Sequence, residues 1–274
     1  MRVENCCQAL LADLLPTIDP QRSGKCLDVG VGTFAFYCQL FAELGFETIA
    51  VEPLPVKKLK HLTNHSQLKL LPICLSNRDG EQTLYLGKFA GLFNSNFSSL
   101  SAQWFGSSSN QRTVPTLTLQ TLIKQEAITA ITCLKLDIEG WEWQVLQQFS
   151  DLSPDLLPKV VMFEYGGGVN RSQKQKGWSP EFFNQTLQSL ELLKTCGYTH
   201  SLILDFAPNT KELHFDLSVL PSQKLESLFT QECVYGNIIS FLDYCPHPKE
   251  VAEICTPYYR LTFIERLING LVSR

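Results

Sequence analysis

Two carboxylates stand two residues apart in the run Lys135-Leu136-Asp137-Ile138-Glu139-Gly140-Trp141-Glu142, at the end of an apolar stretch. Residues 132–138 read as a β-strand, and an extended backbone would point Asp137 and Glu139 to the same side. Two acids at a strand tip are costly unless they are hydrogen-bonded or matched to a cation. Such groups suit the removal of a proton from a hydroxyl, or its positioning. Glu164 ends the apolar run 159–164 in the same way. Asp137, Glu139 and Glu164 are therefore the candidate catalytic residues, with Asp137 first. Glu142 is better explained as a helix N-terminal acid. His61, His65, His200, His214 and His247 are scattered and no metal ligands are assigned, although a divalent metal held by the three carboxylates is an alternative way to lower an acceptor's pKa.

A second group lies earlier. Leu27-Asp28-Val29-Gly30-Val31-Gly32-Thr33 joins an apolar run to a helical pattern, and its glycines permit a sharp turn with close ligand approach. Glu52 falls 22 residues after Gly30, where a carboxylate can take both hydroxyls of a ribose. Asp28 would repel a pyrophosphate, whereas the ammonium and sulfonium of S-adenosylmethionine suit an acid there, directly or through water. Ser76 and Asn77 end a third apolar run, within reach of an adenine edge. The cofactor-binding candidates are thus Asp28, Gly30, Gly32, Thr33, Glu52, Ser76, Asn77 and Asp137. Gly30-x-Gly32-x-x-Ala35 also fits a dinucleotide fingerprint, so a nicotinamide-dependent oxidoreductase stays open, as does an inactive cofactor-binding subunit.

The elements that must position these groups alternate. Apolar runs at 25–29, 47–52, 68–75, 132–138 and 159–164 read as strands. Helical periodicity follows through Phe36, Leu40, Phe41 and Leu44 to a stop at Gly45. It recurs at 57–64, through Trp141, Val145, Leu146 and Phe149, and over 179–196 with Pro180 in the first turn. Strands alternating with helices predict an α/β, doubly wound, mostly parallel sheet. Insertions at 87–115 and 167–179 fall after strand ends, where ligands bind. The expected divisions are an N-terminal helical segment (1–24), a central domain (25–244) and a C-terminal helical extension (245–274).

Of the 274 residues, 44% are hydrophobic and 18% charged, enough for a sizeable core. The net charge of −4 argues against a nucleic-acid partner. No run is long and apolar enough for stable membrane insertion, and no signal peptide is evident, so a cytoplasmic location is expected. The ten cysteines include no C-x-x-C pair and read as reduced, mostly buried thiols. Leu261, Ile264, Leu267, Ile268 and Leu271 form a helical stripe suited to core packing or to a homo-oligomer.

The Lys-x-Asp-x-Glu-Gly-x-Glu run at 135–142 resembles the FkbM family of S-adenosylmethionine-dependent methyltransferases. Leu27 to Thr33, Glu52-Pro53, Ser76 to Gly80, Ser98-Ser99-Leu100, Val114 to Leu122 and Glu164 stand in the family's order around it. Gln120 and Gln148 replace an acid and a glycine common there. The resemblance implies a seven-stranded class I methyltransferase sheet, S-adenosylmethionine as cofactor, and O-methylation of a hydroxyl on a sugar, glycan or other small-molecule acceptor.

Overall fold

Four of the five residues of β1 (Lys25–Val29) are buried, a pattern that requires cover on both faces of the sheet. The computed structural model describes residues 1–62, 67–89, 92–166, 180–207, 210–230 and 233–259. Ahead of β1 runs α1 (Val3–Ile18); after it come α2 (Phe36–Glu43), β2 (Thr48–Val51), α3 (Lys57–Leu62) and β3 (Leu68–Leu71). Next are β4 (Cys74–Leu75), β5 (Gly80–Phe89), β6 (Leu92–Phe93), β7 (Ser107–Leu117), α4 (Leu119–Gln125) and β8 (Ile131–Leu136). The remainder is α5 (Glu142–Leu146), β9 (Val160–Gly166), α6 (Pro180–Thr195), β10 (Tyr198–Asp205), β11 (Leu213–Asp216), α7 (Ser222–Leu225), β12 (Tyr235–Leu242) and α8 (Pro248–Cys255).

The main sheet has the order β11-β10-β12-β9-β8-β1-β2-β3. From β3 to β9 all pairings are parallel, and β12 enters antiparallel between β9 and β10. The sheet has eight strands rather than seven, because the short half-polar β11 is added at the edge of β10. Alternate residues of each strand feed different cores. Leu27, Leu134 and Phe163 pack with Leu122 of α4, Val145 of α5 and Leu190 of α6. Cys26, Cys133 and Met162 pack with Leu11 of α1, Phe41 of α2 and Val251 of α8. This is the doubly wound arrangement that the alternating pattern predicts.

Two local expectations change. The run 68–75 is not one strand: its second part, β4, crosses to a separate sheet of order β4-β7-β5-β6. About half of the segment 87–115, rich in serine and asparagine, is strand: β5 and β7 pair antiparallel from Gly80↔Thr116 to Gly87↔Ser107. The insertion 167–179, the stripe at 261–271 and the end of the 57–64 helix lie outside the described residues.

Candidate active site

A cavity of about 430 Å³ opens at the carboxyl ends of the central strands, where β1, β2, β8 and β9 present Gly30, Glu52, Asp137 and Glu164. Gly30 has φ 77°, and a Cβ on it would collide with the carbonyl oxygen of Asp137. The glycine turn therefore lies directly against the tip of β8. The Gly32 N–H donates to Glu52 Oε2 at 3.0 Å, and the Leu54 N–H donates to Glu52 Oε1 at 2.8 Å. Burial pushes the Glu52 carboxyl above the usual range despite these bonds. The Thr33 N–H donates to Asn96 Oδ1 at 3.0 Å, and Asn96 Nδ2 donates to the Thr33 hydroxyl at 3.2 Å. Asn96 comes from the 87–115 insertion, which therefore supplies one wall of the cavity.

Asp28 lies beneath the turn rather than on the cavity wall. It is 1% exposed; Oδ1 is 3.1 Å from Lys135 Nζ, and Oδ2 accepts the Cys38 N–H at 2.9 Å. Lys135 also donates to the Gly30 carbonyl at 2.8 Å and lies 3.5 Å from Asp137 Oδ2. Burial works to lower the Lys135 pKa, but Asp28 and Asp137 outweigh it and hold the ammonium charged.

Asp137 and Glu139 do face one space, though not for the expected reason. Strand β8 stops at Leu136, and the chain then turns through left-handed conformations at Glu139 (φ 57°) and Gly140 (φ 87°). Ser99 Oγ donates to the Glu139 carbonyl at 2.6 Å, and the buried Trp104 indole N–H donates to Glu139 Oε2. One carboxylate oxygen from each of Asp137, Glu139 and Glu164 lies within 4.8 Å of the other two. Burial, and then the charge of Asp137, push Glu139 and Glu164 well above ordinary carboxyl pKa values. Glu142 is the first residue of α5, and its Oε1 accepts the Ile138 N–H of the preceding turn at 2.8 Å; burial raises its pKa to about 7.

Ser76 and Asn77 are not on the cavity wall. The Ser76 hydroxyl accepts from Gln82 Nε2 at 2.6 Å and from the Trp141 indole at 3.1 Å, while Asn77 faces Gln144. Ile73, Cys74 and Leu75 line the cavity at that end instead. Gln148 bridges the Leu119 N–H and the Ser76 carbonyl, a structural use of a position where the family commonly has glycine. Among the insertion aromatics Phe97 lines the cavity, whereas Trp104 and Phe105 pack behind it.

Sequence reasoning missed the opposite wall. Glu4 of α1 enters the cavity, held by the Tyr37 hydroxyl at 2.7 Å and by Asn237 Nδ2 at 3.0 Å. Burial raises its pKa, with Asp137 adding to the effect. Stacked Phe206 and Tyr235, 4.3 Å apart, complete this end. The available signal was spacing: Glu4 shares a helical stripe with Cys7, Leu11 and Leu15, all buried.

A parallel sheet with an antiparallel strand between its last two long strands, and a glycine turn opposite an acid on the next strand, defines a class I methyltransferase fold. Within that class the chain belongs to the FkbM methyltransferase family: the model for the methyltransferase FkbM domain matches residues 25–199, well over half of its length. No curated protein matches the chain. Solved structures similar to it include methyltransferase FkbM from Methylobacillus flagellatus KT (13% identity, TM-score 0.41), a match covering 66% of this chain and 40% of that one. The methyltransferase domain of bacterial CtHen1-CN (10% identity, TM-score 0.43) is covered 100%, against 87% of this chain. The 1,6-didemethyltoxoflavin-N1-methyltransferase of Burkholderia thailandensis, with bound 1,6-didemethyltoxoflavin and S-adenosylhomocysteine, shows 12% identity and TM-score 0.37, covering 88% of this chain and 80% of that one.

Proposed function

We propose that the protein is an S-adenosylmethionine-dependent O-methyltransferase acting on a hydroxyl of a sugar, glycan or natural-product-like small molecule. The observation that carries this reading is the position of Asp137. Its carboxylate is about one-third exposed and lines the cavity with the glycine turn, the buried Glu139 and the partly buried Glu164.

The residues present fit the cofactor. The Glu52 carboxylate stands beside the glycine turn and suits ribose hydroxyls; Ile73 and Leu75 offer apolar cover to a ring; the acid-rich end suits a cation. S-adenosylmethionine, when bound, supplies an electrophilic methyl group on a positively charged sulfur. Gly30 and Gly32 leave the main chain open to close approach, and Thr33 is fixed by Asn96. Asp28 acts through Lys135, which ties the turn to the tip of β8. Asp137 accepts the acceptor hydroxyl's proton and passes it to solvent, a role worth about 10²–10⁴-fold in rate. Glu139 and Glu164 position the acceptor. Holding both reactants in line contributes up to roughly 7–11 kcal/mol in favourable cases.

Calorimetry with S-adenosylhomocysteine and with NAD tests the reading. Tight binding of the first and none of the second is expected; the reverse would place the chain among nicotinamide-dependent oxidoreductases. Methyl transfer from labelled cofactor to a hydroxylated acceptor panel tests the oxygen specificity, and transfer only to amines would overturn it.

A further inference from the structure

The acidic end of the cavity brings together more carboxyl groups than the protein supplies with partners. Glu4, Asp137, Glu139, Glu142 and Glu164 all interact electrostatically there. The cation among them, Lys135, is already bound to Asp28 and to the Gly30 carbonyl, and reaches only Asp137, at 3.5 Å. Three acids have their own donors: Glu4 has Tyr37 and Asn237, Glu139 has the Trp104 indole, and Glu142 has the Ile138 N–H. Glu164 has none among the described residues. Its Oε2 is shut off from solvent without a hydrogen-bond partner, while the side chain borders the cavity. A buried orphan carboxylate oxygen costs free energy unless a ligand satisfies it.

We propose that Asp137, Glu139 and Glu164 form a binding site for one hard divalent cation (magnesium, manganese or calcium). Two oxygens across an ion with bonds of roughly 2.1–2.4 Å stand no more than about 4.8 Å apart. The three converging oxygens, all within 4.8 Å of one another, meet that limit. The donor set is all carboxylate, with no thiol or imidazole, which selects a hard ion over zinc or copper. Trp104 orients Glu139 by holding Oε2, and this leaves Oε1 for the ion. Three ligands leave further coordination positions toward the cavity, where the ion takes oxygens of the acceptor. That last assignment rests on the methyltransferase reading; the ion site itself does not.

The test is titration of manganese chloride into the full chain after chelator treatment, followed by calorimetry and by loss of the six-line resonance of aqueous manganese. One ion per chain is expected, displaced by excess magnesium. Glu164→Gln and Glu139→Gln should each weaken it by roughly 10–100-fold. Each variant is first matched to the parent by thermal melting, and Trp104→Phe, which leaves all three carboxylates in place, gives a second route with a smaller loss. No saturable binding, binding unchanged in Glu164→Gln, or saturation by methylammonium alone would overturn the proposal. S-adenosylhomocysteine affinity is measured on the same samples. Its absence beside normal manganese binding would count against the methyltransferase reading and leave the ion site standing.

Discussion

Lys135 Nζ lies 3.1 Å from Asp28 Oδ1, and both side chains are almost wholly buried. Strand pairing makes this contact: Asp28 of β1 is directly opposite Lys135 of β8. Removing one partner of such a pair strands the other charge in the interior, at a cost of about 3–5 kcal/mol. Lys135→Met should destabilise the protein by that order in urea unfolding. The double variant Asp28→Asn/Lys135→Met should recover a large part of the loss. A loss in the double variant equal to the sum of the Asp28→Asn and Lys135→Met losses would show that the pair is not coupled.

The glycine turn offers a sharper contrast. Gly30 and Gly80 both have positive φ, 77° and 115°, but only Gly30 lies against a backbone carbonyl; nothing lies within 4 Å of a Cβ built at Gly80. Gly80→Ala should cost about 1 kcal/mol for conformation alone. Gly30→Ala must also separate β1 from the tip of β8, so its loss in thermal melting should be clearly larger, with cofactor affinity falling in parallel. Similar melting temperatures for the two variants would contradict the close approach.

Asp137→Asn keeps the shape of the side chain and removes the proposed base. Turnover should fall about 10²–10⁴-fold. Affinity for S-adenosylhomocysteine should stay within a few-fold. Near-normal turnover in single-turnover assays would remove Asp137 from the chemical step.

Glu142 gives a pH dependence of known sign. Its carboxyl titrates near 7 in the folded chain, because of burial, against 4.5 without that burial. The folded state therefore binds more protons between these values, so stability declines as pH rises from about 4.5 through 7 and levels off above. Glu142→Gln retains an acceptor for the Ile138 N–H and should remove this part of the decline. Melting curves of the parent and the variant between pH 5 and 8 should thus diverge at the alkaline end, with the variant more stable.

The parallel core of the fold was legible because β1, β2, β8 and β9 are buried on both faces, which forces continuous apolar runs. The second sheet was not. In β7 the residues from Ser109 to Thr113 are all exposed, so no hydrophobic period marks the strand. The polar sequence Ser109-Asn110-Gln111-Arg112 reads as loop until its pairing with β5 is seen. At the site, the acids of the strand tips were visible one by one. Their convergence depends on the left-handed turn at Glu139 and Gly140, which spacing along an extended strand does not convey. Ser76 and Asn77 marked the right strand end, but the Trp141 indole and Gln82 occupy the Ser76 hydroxyl.

Glu4 is anchored by Asn237, a residue 233 positions away on a strand that slots between β9 and β10. During synthesis the glycine turn, Glu52 and Asp137 can assemble long before that strand leaves the ribosome. The nascent chain thus has the glycine-turn side of the cavity early, while the opposite wall waits for β12 to insert. A truncated product that stops short of β12 would therefore carry a half-built chamber, open on the side of Glu4.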